Sequence, residues 1–310
     1  MGTEQITVGS RTIEVGGLED VIFPDEGITQ GDLIDVYRRL ADVILPHLAE
    51  RPLTMQRFPD GIEEGGFYQR VASDYFPDWI PRVIVDVKED DGQKPQVICN
   101  SEATLVYLVD QGLVTPHVWL SRADKLDHPD KLIFDLDPPD SQFKPVRRAA
   151  ELLHDLLNDL ALVPFVMTTG SRGAHVVVPL DRSAPFDAVR SFSKDVAKLL
   201  ARREPDRLTV EMRKEERGDR LFLDYLRNSY GQNSVAPYGV RAKPGAPVAT
   251  PLDWDELADP DLHAQSYTVG NIFRRLGQKK DPWRDIMSHA RSLSTARERL
   301  GEMMEEGGAG

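Results

Sequence analysis

The chain has 310 residues, 40% hydrophobic and 29% charged, an ordinary balance for a folded globular protein of one large or two small domains. No apolar run reaches the ~20 residues that a membrane-crossing helix needs, and no basic stretch followed by an apolar core marks a secretory signal, so a cytoplasmic chain without membrane partners is expected. The lone Cys99 excludes an intrachain disulfide and a cysteine zinc site, and a net charge of −13 argues against a uniformly basic nucleic-acid protein while leaving room for a local basic groove.

Gln5 to Val8 and Thr12 to Val15 read as a hairpin about Gly9-Ser10-Arg11. Thr29 with Asp32 has the form of a capping box. Ile34, Tyr37, Leu40, Ile44 and Leu48 give the helix behind it an apolar stripe, ending near Arg51-Pro52. Residues 53–100 are rich in strand and turn signals. Within them, Gly65-Gly66-Phe67-Tyr68-Gln69-Arg70 sets adjacent aromatics beside a base. This stretch reads either as a loop that stacks on nucleobases or as a strand with buried rings. Strands are expected at 82–87 and 95–99 around an acidic turn, and a short helix from Asn100 or Ser101 to Leu108. His117 lies in a strand-like run as either a structural residue or a site residue, and that strand is expected beside the next one.

The next strand, Leu132-Ile133-Phe134-Asp135-Leu136-Asp137, runs apolar residues into two acids and stops at Pro138-Pro139. Residues i and i+2 of a strand share a face, so Asp135 and Asp137 project side by side. The pair is either a solvated turn or a clamp for Mg²⁺ or Mn²⁺, hard cations that prefer carboxylate oxygen. A helix is expected from Pro145 to Leu160. Phe165 to Pro179 reads as strand, glycine turn and strand. The turn Thr169-Gly170-Ser171-Arg172-Gly173 is either an anion-binding nest, with Thr169, Ser171 and Arg172 as donors, or an ordinary hairpin. A second helix is expected from Pro185 to Arg203, with Ser183 as its cap. Asp224 sits in the apolar strand Leu221 to Leu226, where a carboxylate is costly unless paired or metal-bound. Between 211 and 243, seven Lys and Arg face five acids, a net of +2 against the global acidity. Residues 268–301 read as helical, with Trp283, Ile286 and Met287 packing back. The expected organisation is a catalytic domain over 1–293 and a flexible tail over 294–310.

Asp135, Asp137 and Asp224, with a glycine turn, a strand histidine and several arginines, form the parts list for metal-assisted nucleotidyl transfer. The motifs Leu132 to Pro139, Thr168 to Pro179, Leu221 to Asp224 with Asn228-Ser229, and Ala236 to Arg241 resemble the polymerase domain of bacterial DNA ligase D, of the archaeo-eukaryotic primase superfamily. The resemblance covers roughly residues 5–275.

It implies a mixed α/β (α+β) primase-type catalytic core of two mixed sheets flanked by helices, with the active site in a central cleft. It implies a template-dependent polymerase that uses two divalent ions, Mn²⁺ or Mg²⁺, to add ribo- or deoxyribonucleotides to DNA 3′ ends in gap filling or non-homologous end joining. Asp135, Asp137 and Asp224 match the metal ligands. His117, Thr169 and His175 match positions that bind the incoming nucleotide, and Arg227 and Arg241 match further bases of the cleft. Phe67 and Tyr68 match an aromatic pair that stacks on the template, with Arg57 and Arg70 as basic neighbours. The implied partners are gapped or broken duplex DNA or a primer-template, nucleoside triphosphates, Ku and a separate ligase, in the bacterial nucleoid. With no ligase or nuclease module in view, a stand-alone homologue is expected. Asp20 and Gln30 stand where the family commonly has two lysines that grip a 5′ phosphate, and Gln56 where it has a further lysine, with Arg57 beside it still basic, which leaves that recognition open. The rival readings are a primer-independent primase, a metal phosphoesterase, which would want more metal-ligand histidines, and a non-catalytic DNA- or Ku-binding adaptor. The adaptor is disfavoured because all three acids are present.

Overall fold

The computed structural model describes residues 3–87, 92–140 and 142–306, which divide into two compact units. The first gathers Met1–Asp124, Asn233–Thr250 and Tyr267–Lys279; the second gathers Lys125–Gln232, Pro251–Ser266 and Lys280–Gly310.

The first unit opens with the expected hairpin, β1 (Glu4–Val8) on β2 (Arg11–Val15), followed by β3 (Val21–Phe23) and β4 (Ile28–Thr29). Helix α1 (Gln30–Leu48) begins where its sequence dictates. The Thr29 hydroxyl accepts from the Asp32 N–H, and the Asp32 carboxylate accepts from the Thr29 N–H, a full capping box. Its apolar stripe is buried from Leu33 to Leu48, and the helix stops there, with Ala49 as C-cap and Glu50 at positive φ. The elements β5 (Pro52–Arg57), β6 (Phe67–Gln69), β7 (Arg82–Val87), β8 (Gly92–Ile98), α2 (Glu102–Asp110, capped by Ser101) and β9 (Leu113–Trp119) follow. All the described pairings of this sheet are antiparallel, in the order β15-β9-β5-β8-β7 with β6 also on β5, where β15 is Asn233–Val235.

The second unit contains β10 (Lys131–Asp137), α3 (Phe143–Asp159), β11 (Phe165–Thr168), β12 (Ala174–Pro179), α4 (Phe186–Arg203), β13 (Leu208–Thr209) and β14 (Leu221–Asp224). Its sheet runs β13-β14-β10-β12-β11-β16, where β16 is Thr250–Leu252, with β13 and β14 parallel and the neighbours of β10 antiparallel to it. β10 is buried along its length except at Asp137, which is why its lead-in reads as an unbroken apolar run. Helix α3 packs on β12 and β10 through Val146, Ala149, Leu153 and Leu156, and α4 packs on β13 and β10. After β15 the chain adds β16 (Thr250–Leu252), α5 (Ile272–Gln278) and α6 (Ser294–Glu306).

Four expectations are corrected. The His117 strand, β9, and the acid strand, β10, are not neighbours: they belong to different sheets. Ser183 does not cap α4; Pro185 takes that position with no side-chain bond, while the Ser183 hydroxyl donates to Asp181. Met287 is 37% exposed, whereas Trp283 and Ile286 are buried. Phe67 and Tyr68 lie on a strand, yet both rings are exposed. The expected boundary at residue 294 coincides with the start of α6, whose Ala296 and Leu300 are buried, and residues 307–310 lie outside the described residues.

Candidate active site

The register of the second sheet assembles the acids. Asp135 on β10 is directly opposite His175 on β12 and, on its other side, directly opposite Asp224 on β14. Cross-strand partners share a face, with Cβ atoms roughly 5 Å apart. His175, Asp135 and Asp224 therefore stand in one row across three strands, and Asp137 extends from the same face two residues along β10.

The four groups differ electrostatically. Asp135 is 7% exposed, with its carboxylate oxygens 3.5 Å from His175 Nε2 and 3.5 Å from Arg227 Nε. Burial works to raise its carboxyl, but the charge and hydrogen bonds of His175 and then Arg227 outweigh it and hold the group below the ordinary carboxylate value. Asp137 is pushed up, first by burial and then by the charge of Asp135, with Arg172 (3.7 Å away) opposing. Asp224 is also pushed up by burial, with Asp135 and Asp137 adding to the rise, although its Oδ1 accepts the Leu226 N–H at 2.7 Å. Among the described residues, no three His, Cys, Asp or Glu side chains converge on one cation-holding point. Asp135 and Asp137 are turned toward their basic neighbours, and Asp224 toward the Leu226 N–H. The donor chemistry still fits a divalent ion: three hard oxygen donors crowd one sheet face, and two of them are uncomfortable as anions there.

The β11–β12 turn is built against this row. The Thr169 hydroxyl donates to the Gly173 carbonyl at 3.0 Å and accepts the Ser171 N–H at 3.3 Å, so it closes the turn on itself. Gly173 is demanded by proximity: a Cβ there would lie 1.9 Å from the Leu136 carbonyl oxygen of β10. Ser171 accepts the Gln265 side-chain amide through its carbonyl, and Arg172 reaches Asp137. Asn228, which the sequence offers only as part of a family motif and with no role, ties the assembly together. Its side chain accepts the Ile133 N–H at 2.8 Å and donates to the Ile133 and Tyr225 carbonyls at 2.7 and 2.9 Å. Eight of the expected site residues are thus gathered in the second unit: Asp135, Asp137, Thr169, Ser171, Arg172, His175, Asp224 and Arg227.

The other six lie in the first unit. Arg57, at the end of β5, is over the Phe67 ring (5.4 Å to the centroid), and its NH1 donates to the Gln69 amide oxygen at 2.6 Å. Tyr68 meets His117 edge-on, with ring centroids 5.6 Å apart. Arg70 follows β6 and is exposed. Arg241 sits on a turn whose Val240 carbonyl accepts the Thr115 hydroxyl at 2.7 Å, and whose Val240 N–H donates to the Tyr37 hydroxyl at 3.0 Å. Tyr37 also donates to the Val114 carbonyl at 2.6 Å, and burial raises its phenol far above the ordinary value. Tyr37 and Thr115 thus staple the Arg241 turn to β9, the strand that carries His117. Sequence reasoning counts Tyr37 only as part of an apolar stripe.

Asp20 and Gln30 both line a cavity of about 300 Å³ in the first unit, together with Arg57, Asp110 and Gln111. Gln30 is committed to the Val109 carbonyl at 2.6 Å. The Asp110 carboxyl, raised by burial, accepts the Gly16 N–H and the Gln111 amide. With two carboxylates against one guanidinium, the cavity is poorly suited to a phosphate dianion.

Residues 29–283 match the family described as LigD, primase-polymerase domain. The chain is 32% identical over 307 residues to the multifunctional non-homologous end joining protein LigD of Pseudomonas aeruginosa, covering 96% of this chain and 36% of that protein. It is 27% identical over 276 residues to the bifunctional non-homologous end joining protein LigD of Bacillus subtilis, covering 88% of this chain and 44% of that one. The chain therefore spans less than half the length of these relatives. Among solved structures, the polymerase domain of Mycobacterium tuberculosis ligase D in complex with DNA superposes with a TM-score of 0.84 at 29% identity, covering 90% of this chain and 99% of that one.

Proposed function

The chain belongs to the LigD primase-polymerase domain family, and on that premise we propose that it is a DNA-directed nucleotidyltransferase that extends DNA 3′ ends with ribo- or deoxyribonucleotides, in gap filling or non-homologous end joining. The observation that carries the reading is the row His175, Asp135, Asp224 with Asp137 on the same face. Asp135, Asp137 and Asp224 would hold two divalent ions, Mg²⁺ or Mn²⁺. When bound, such ions supply Lewis acidity at the phosphoryl oxygens and favour the ionised form of an attacking hydroxyl.

The remaining roles belong to the chain itself. Arg172 and Arg227, already partnered to the acids, neutralise triphosphate charge. Thr169 and Gly173 fix the turn that presents Ser171 and Arg172 beside β10. His175 orients Asp135 and, in this reading, stands beside the incoming nucleotide. In the first unit, Phe67 and Tyr68 provide stacking rings for unpaired template bases, with Arg57 and Arg70 as their cations. His117 and Arg241 bind the incoming nucleotide. The mixed charge of the cavity at Asp20 and Gln30 supports use of gaps without regard to a 5′ phosphate. Partners such as Ku and a separate ligase follow from the end-joining reading.

The test is primer extension on a gapped duplex with each nucleotide type and each metal, the downstream strand ending in 5′ phosphate or 5′ hydroxyl. Extension should be equal on both ends, lost in Asp137→Asn and Asp224→Asn, and absent on unprimed single strands. Retained extension in either folded variant refutes the acid assignment. A phosphate requirement refutes the reading of the cavity, and chains started without a primer make the protein a primase.

A further inference from the structure

Four large hydrophobic side chains stand exposed close together in sequence on the first unit: Phe67, Tyr68, Val71 and Tyr75. Two of these rings, Phe67 and Tyr68, are already spoken for in the reading above; Tyr75 is the most exposed of the four, at 61%. A large exposed ring on a frayed loop would mean little, but the support of Tyr75 is built. The Gln69 side-chain amide donates to the Val71 carbonyl and to the Ser73 hydroxyl, both at 2.8 Å, which ties the following turn back to β6. The Ala72 N–H donates to the Pro95 carbonyl, and the Phe76 N–H closes the turn onto the Ser73 carbonyl. Phe76 is sunk in the core at 2% exposure, edge-on both to Tyr75 (centroids 5.0 Å apart) and to Tyr107 (5.5 Å).

The Tyr75 hydroxyl accepts from Arg57 NH1 at 3.2 Å, and the same guanidinium is over Phe67 and bonded to Gln69. One cation thus joins the Phe67 ring and the Tyr75 ring through a single fixed group. A ring held in place before binding loses little freedom when a flat partner settles on it. A planar partner that also carries negative charge suits a platform whose shared cation is Arg57; unpaired DNA bases on a phosphate backbone meet both conditions.

We propose that Tyr75 is a further nucleobase-stacking residue, which with Phe67 and Arg57 extends the platform along the single-stranded template beyond the Phe67–Tyr68 pair. The inference rests on the DNA reading above.

Fluorescence anisotropy on a labelled duplex with a single-stranded 5′ overhang tests it, with the proteins compared at each of several salt concentrations. Stacking on an aromatic side chain is typically worth 1–3 kcal/mol per base by alanine substitution, so Tyr75→Ala should weaken binding roughly tenfold. Tyr75→Phe keeps the ring and should stay within about twofold of the parent. The slope of affinity against salt should be the same in all three proteins, because no charge is removed. On an overhang of abasic sites the difference between Tyr75→Ala and the parent should vanish. A loss that persists on abasic DNA marks a structural effect and overturns the stacking role. If Phe67→Ala weakens binding and Tyr75→Ala does not, the Tyr75 inference falls and the DNA reading stands. If neither variant matters, or the parent does not bind the overhang, both fall.

Discussion

Asn228→Ala probes the point at which the acid row is fastened. β14 pairs with β10 from Phe222 to Asp224 and then leaves the ladder. Continued in the same register, the next β10 residue needing a backbone partner on that side would be Ile133. The Asn228 side-chain amide fills that place, accepting from the Ile133 N–H and donating to the Ile133 carbonyl, 95 residues away in sequence and fully buried. An amide side chain presents a donor and an acceptor as a peptide group does, so the strand can end at Asp224 without orphaning β10. Alanine leaves two buried backbone groups unsatisfied, each costing about 1–3 kcal/mol, or about 3–4 kcal/mol together. At ~2–4 °C per kcal/mol for a chain of this size, the melting temperature should fall on the order of 10 °C. Asp224 and Arg227 flank the freed turn, so primer extension should also fall, even at temperatures where the variant is folded. Thermal unfolding followed by circular dichroism checks the first effect and single-turnover extension the second. Ser229→Ala, which removes one bond to the Leu226 carbonyl, is the matched control and should cost about 1 kcal/mol or less. An Asn228→Ala protein that melts within ~2 °C of the parent refutes the ladder argument.

Two further outcomes follow from the site. Gly173→Ala should push the β11–β12 turn off β10, because the new methyl cannot share space with the Leu136 carbonyl; a loss of ~2 kcal/mol or more in urea unfolding, with weakened triphosphate binding, is expected, and parent-like values would mean the turn has slack. Asp224→Asn keeps the acceptor for the Leu226 N–H and removes a charge. Burial and the neighbouring Asp135 and Asp137 raise the Asp224 carboxyl in the fold, so the folded state binds this proton more tightly than the unfolded chain does. Its ionisation therefore costs stability as pH rises from the unfolded value of ~3.9 through the raised folded value, and the cost stays constant above that. In chelator at pH 7.5 the variant should be more stable by about 1 kcal/mol, an advantage that disappears near pH 3.5; an advantage independent of pH would refute the electrostatic account.

The division between what the sequence discloses and what it withholds follows the range of the interactions. The Thr29–Asp32 cap, the Asp135–Asp137 face and the glycine turn are local patterns, fixed by strand and helix geometry within a few residues, and each is legible. Pairing is not local. β9 and β10 are separated by only the segment from Leu120 to Asp130, yet that segment passes from one sheet to another, and closeness in sequence says nothing of it. The Gly65–Arg70 stretch is neither a loop nor a strand with buried rings, for a similar reason. A strand period predicts a buried face, but among the described residues β6 pairs only with the end of β5, and its rings stay in solvent.

The sequence is most silent about residues whose chemistry runs against their type. Asn228 looks like a turn residue and acts as a strand partner; Tyr37 looks like part of an apolar stripe and bridges two backbone segments through one hydroxyl. Both are buried polar groups that reach across 77 to 203 residues to a partner, and both hold a turn that carries an arginine, Arg227 in one unit and Arg241 in the other. An arginine that must meet a polyanion has to be mobile enough to exchange partners and placed closely enough to be ready. A buried amide or phenol behind the turn serves the second demand, because it fixes the backbone from which the arginine extends. That explains why these two polar residues occupy positions that a leucine would fill more simply.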